Sequence, residues 1–76
     1  MNAVYLDKID PDQNMRRFYS IRVMPTLFGE WAVIREWGRI GSPGTVREEW
    51  FDSEDQAQEA ADRFKIKQAK RGYGSL

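Results

Sequence analysis

The sequence predicts an α+β domain, a small antiparallel β-sheet followed by one packed C-terminal α-helix. Three observations lead there. Polarity alternates with period two through residues 17–24, 31–40 and 45–51, as in half-buried strands. Turn-forming residues separate those runs at TLFGE and GSPG. Beyond residue 53 the period changes, and Ala57, Ala60, Ala61 and Phe64 fall on one face of a helix.

The elements follow in chain order. Residues 1–15 read as an N-terminal segment ahead of the main domain, 16–76. Within that segment AVYLDKI has the alternation of a short edge strand, and DPDQNM carries the chemistry of a type I turn. In the next run Tyr19, Ile21 and Val23 share one face, with Phe18, Ser20, Arg22 and Met24 on the other, and Pro25 ends it or confines it to an edge. The run WAVIREWGRI places Trp31, Val33, Arg35, Trp37 and Arg39 on one face. Its other face, with Ala32, Ile34 and Ile40, is the expected core side. TVREEWF pairs back after GSPG. Ser53 followed by Gln56 is a capping-box pattern. Acids crowd the first helical turns and bases the last, in the sense the helix dipole favours, and Gly72 stands where helices stop.

Composition removes whole classes of chemistry. The 76 residues include no Cys and no His, so disulfides, thiolate nucleophiles and the commonest general base and metal ligand are excluded. Glu48 and Glu49 are adjacent on a strand and point to opposite faces, which spoils them as an acid–base pair. GRIGSPG joins two strands, not a strand and a helix, so no phosphate loop of the P-loop kind is present. No enzyme activity and no cofactor are expected. No apolar run approaches the ~20 residues a membrane helix needs, and the chain reads as a cytoplasmic protein without a membrane partner.

Charge balances at 12 against 12, but its distribution is uneven. Arg63, Lys65, Lys67, Lys70 and Arg71 follow one another with no acid after Asp62. Arg35, Trp37 and Arg39 flank an indole with two guanidinium groups on one strand face, with Gly38 leaving room for close approach. Such a face can grip phosphate oxygens beside a stacking surface, or be a packed aromatic covered by arginine stems. The helix end offers Lys70, Arg71 and, past Gly72, a mobile aromatic in Tyr73; the bland reading is a dipole-completing end and a frayed tail.

Taken in order, RRFYSIRV, WAVIREWGRIGSPGTVREEWF and SEDQAQEAADRFKIKQAKRGY resemble a WGR domain, whose signature here is Trp37-Gly38-Arg39. The resemblance runs from about Arg16 to Tyr73. Such domains occur in DNA-damage-dependent poly(ADP-ribose) polymerases and as small bacterial proteins, and this chain looks like the second kind. The resemblance implies a compact sheet with one helix that binds DNA at strand breaks near a 5′ end. By position, Trp37 would pack against the terminal sugar, Arg39 would contact phosphate or a partner domain, and Tyr73 would contact phosphate. Arg16 and Arg17 stand where the polymerases often carry an Asn-Lys pair, which replaces a polar ligand with a charge. The polymerase catalytic domain is missing from this sequence, so ADP-ribose transfer is not expected. The expected partner is DNA through Trp37, Gly38, Arg39, Arg35, Arg16, Arg17, Lys70, Arg71 and Tyr73; the alternative is a protein partner on the same Trp/Arg face. Arg39→Ala is expected to weaken DNA binding more than Lys8→Ala.

Overall fold

The computed structural model describes residues 2–75. Strand β1 spans Asn2–Asp10, and a single 3-10 turn, Pro11–Gln13, leads into β2, Met15–Pro25. Strands β3, Trp31–Arg39, and β4, Thr45–Phe51, come next, then helix α1, Glu54–Lys70, and the two-residue β5, Gly74–Ser75. All pairings are antiparallel, in the order β4-β3-β2-β1-β5. This is the sheet-plus-helix α+β architecture the alternation predicts.

The N-terminal segment is more than a short strand. Its nine residues pair with most of β2, from Asn2 opposite Val23 to Asp10 opposite Met15. Leu6 is fully buried, and β5 pairs outside β1 at Leu6 and Asp7. The turn between β1 and β2 is built as its residues suggest. The Asp10 carboxylate accepts from the Asp12 backbone N–H at 3.2 Å, and Asn14 takes the left-handed conformation at φ 51°.

Helix α1 lies across β2 and β3. Ala57, Ala60 and Ala61 are buried against Leu6, Tyr19, Ile21, Val23 and Val33, and Phe64 packs beside them. Small side chains at these positions bring the helix backbone close to the sheet. The N-terminus is capped by Ser53, whose hydroxyl accepts from the Gln56 N–H at 3.2 Å; the Gln56 side chain in turn accepts from the Asp52 N–H.

One expectation is overturned. The core side of β3 is not the Ala32, Ile34 and Ile40 face. The helix covers the opposite side, where Val33 is buried and Trp31 and Trp37 pack against the core. Pairing explains this. Residues directly opposite in an antiparallel ladder share a face, and Val23 faces Val33, Ile21 faces Arg35 and Tyr19 faces Trp37. The buried face of β2 therefore selects the face of β3. Ala32 is buried on the far side, while Ile34 and Ile40 stay partly exposed.

The close approach expected at Gly38 is met by the chain's own hairpin. A Cβ on Gly38 would lie 3.1 Å from Gly44 Cα, and one on Gly44 would lie 2.6 Å from the Trp37 carbonyl oxygen. The two glycines let the β3–β4 connection fold flat beside Phe18.

Candidate functional site

The strand register lays out the helix-covered face in rows. One row runs Lys8, Arg17, Arg39 across β1, β2 and β3. The next runs Leu6, Tyr19, Trp37 and ends at Thr45 of β4. The one after places Arg35 opposite Ile21 and Arg47. A line of three cations thus borders a line of aromatics, and side chains directly opposite one another lie about 5 Å apart. Like charges in that position repel.

The last turn of α1 roofs the cationic end. Lys8, Arg17, Tyr19, Arg35, Trp37, Lys67, Gln68, Arg71 and Tyr73 enclose a pocket of about 370 Å³. Five of these residues are cationic and none is acidic. Trp37 stacks on Tyr19 with ring centroids 5.7 Å apart, and Tyr73 meets Tyr19 edge-on at 6.0 Å.

Tyr73 is held, not frayed. Gly72, at φ +95°, donates its N–H to the Ala69 carbonyl, and Tyr73 donates to the Gln68 carbonyl, both at 3.1 Å. This is the Schellman pattern of a helix end. The Lys8 ammonium donates to the Arg71 carbonyl at 2.8 Å, tying β1 to the same end. A cation is favourable there because the helix dipole leaves its last carbonyls partly negative.

Of the residues singled out in the sequence, Arg17, Arg35, Trp37, Arg71 and Tyr73 come together around the pocket. Arg39 stands at its border, exposed, with its guanidinium donating to the Asn14 carbonyl at 3.3 Å. Arg35 is less free than a surface grip would be. Its guanidinium lies 4.0 Å from the Phe64 ring centroid and pairs with Glu49 at 3.2 Å, and its side chain is only 19% exposed. Gly38 is turned to the hairpin. Arg16 lies opposite Ile9 on the far face of the sheet, and Lys70 is exposed on the helix away from the pocket lining.

Lys8, Lys67 and Gln68 belong to the pocket and were not among the residues the sequence pointed to. Lys8 is therefore no neutral reference for Arg39. Gln68 had a legible signal, since the stripe Ala57, Ala60, Ala61, Phe64 continues at Gln68 with helical spacing. Lys67 was visible as part of the basic run at the helix end, whereas Lys8 had no signal, because it meets that end across most of the chain length. Among the described residues no group of three or more Asp or Glu side chains could hold a metal ion, and no helix is long and apolar enough to cross a membrane.

The family model described as the WGR domain matches residues 2–76. The uncharacterized protein y4dW of Sinorhizobium fredii (strain NBRC 101917 / NGR234) is 36% identical over 70 residues, covering 92% of this chain and 34% of that protein. The crystal structure of a protein from Bacteroides fragilis is similar with a TM-score of 0.81 and 25% identity, over 99% of this chain and 19% of that one. The chain thus spans about a third of the curated relative's length and about a fifth of the solved one's. WGR domains are nucleic-acid-binding-type modules of poly(ADP-ribose) polymerase-like proteins, and are binding domains, not catalytic ones.

Proposed function

We propose, on the premise that the chain belongs to the WGR domain family, that it is a non-enzymatic module that binds DNA ends. The 5′-phosphate would sit against the Lys8, Arg17, Arg39 row and the last sugar beside Trp37. The observation that carries this reading is the row itself. Three cations in register, roofed by Lys67 and Arg71 with no carboxylate in the pocket lining, form an arrangement that a phosphate relieves. A neutral overall charge sets the affinity by this local group and not by a global field. The module would act in the cytoplasm.

The test is a fluorescence anisotropy titration of blunt duplex DNA, with and without a 5′ phosphate, over a range of salt. The phosphorylated duplex should bind more tightly, with log affinity falling linearly with log salt. Arg17→Gln should weaken binding by about tenfold and flatten the salt slope by about one. Arg22→Gln, on the opposite face of the sheet, should change neither. Salt-insensitive binding, or indifference to both the phosphate and Arg17, would count against DNA and favour a protein partner on the same face.

A further inference from the structure

We infer that Gln68 is a ligand-binding residue of this pocket, donating from its carboxamide Nε2 to a phosphate oxygen. The inference rests on the nucleic-acid reading above and adds an amide contact to a site built of cations and aromatics.

Among the described residues, Gln68 is the buried polar one, 5% exposed, on the last turn of α1. A glutamine loses considerable rotamer freedom when buried, and its amide loses hydration, so such a position normally comes with hydrogen bonds to protein. Here the backbone carbonyl of Gln68 is well used, accepting from Arg71 at 3.0 Å and from Tyr73 at 3.1 Å. The side-chain amide makes no hydrogen bond with any described residue and keeps some access to solvent. It lines the pocket together with Lys67 and Arg71 of the helix end and with Lys8, Arg17 and Arg35 of the sheet. A leucine would fill the same volume and bury as well against the core. A glutamine held in place by burial, with its amide still accessible in a cationic cavity, is suited to an acceptor-rich ligand, and a phosphate presents several acceptor oxygens.

The chemistry is separable from that of the cations. An arginine or lysine on a phosphate releases counterions, so its loss changes the salt dependence; a neutral amide releases none. Gln68→Leu should therefore weaken binding to 5′-phosphorylated duplex by about tenfold while leaving the salt slope unchanged, whereas Arg71→Gln flattens the slope.

The experiment pairs that titration with thermal unfolding, with and without sodium pyrophosphate as a probe. Without the probe, Gln68→Leu should melt at or above the wild-type temperature, because no protein hydrogen bond is lost. Pyrophosphate should raise the melting temperature of the wild type and raise that of Gln68→Leu by less. A variant that melts several degrees lower without the probe would make the amide structural and overturn the inference. Equal DNA affinity or equal pyrophosphate shifts in the two proteins would do the same. If neither protein binds DNA, the DNA-end reading fails, and the pyrophosphate shifts still decide the role of Gln68.

Discussion

At the residue scale, Arg35 shows how one side chain can serve two surfaces. It projects from the helix-covered face of β3, lays its guanidinium over Phe64 and reaches Glu49 on β4. It also lines the cationic pocket, so its stem and head join core and site. The planar group is what makes this possible, since it stacks and forms a directional ion pair at once. Arg35→Lys keeps the charge and loses the plane. We expect it to destabilise the fold by about 1 kcal/mol, the scale of a partly buried cation–π contact. Chemical denaturation of the two proteins measures this, and an unchanged midpoint would make Phe64 indifferent to what lies over it. The period-two pattern put Arg35 on the face of Trp37 but did not say which face a helix would cover. That information sits in the pairing of Ile21 with Arg35, which a strand read alone does not contain.

At the element scale, helix α1 and its stop at Gly72 were largely legible, and the path beyond them was not. The alanine stripe, the Ser53 cap and the charge gradient are local, and each works as its sequence suggests. The path of the chain beyond Lys70 is set by distant strands. Gly72 turns the chain back so that Tyr73 docks on Tyr19 and β5 pairs with β1, contacts that span more than fifty residues of sequence. Gly72→Ala tests the turn. Alanine at φ +95° is strained, and its Cβ would lie 3.3 Å from Lys8 Cε. We expect a cost of about 1–2 kcal/mol from the left-handed backbone. We also expect faster hydrogen exchange at the Tyr73 amide, because its bond to the Gln68 carbonyl depends on that turn. Unchanged protection at Tyr73 would mean that the aromatic contact alone holds the tail. The same logic explains why Lys8 carried no signal in the sequence. β1 reads as a weak strand by itself, and its lysine gains meaning only when β1 lies beside Arg17 and under the end of α1.

At the scale of the whole molecule, zero net charge conceals a separation. The acids Glu54 and Asp55 open the helix, and the pocket cations gather at its other end. The 17 residues of α1 put these groups about 25 Å apart, well beyond the Debye length of ~8 Å at physiological salt. Attraction between the ends is therefore screened away, while Lys8, Arg17 and Arg39 repel at the spacing of neighbouring strands. Two ion pairs are seen among the described residues, Arg35 with Glu49 and the exposed Arg63 with Glu59. Salt has little favourable pairing to weaken and a concentrated repulsion to relieve. The free domain should thus become more stable as sodium chloride rises from low to physiological strength, opposite to the behaviour of a fold held by surface ion pairs. Arg17→Gln removes the middle charge of the row. It should melt above the wild type at low salt and converge with it as salt rises, while binding the phosphorylated duplex less well. Calorimetric scans at several salt concentrations decide the matter. A melting temperature that falls with salt, or an Arg17→Gln variant less stable than the wild type at low salt, would show that the row is not under repulsion. The site would then lack the stored electrostatic cost that a bound phosphate is expected to release.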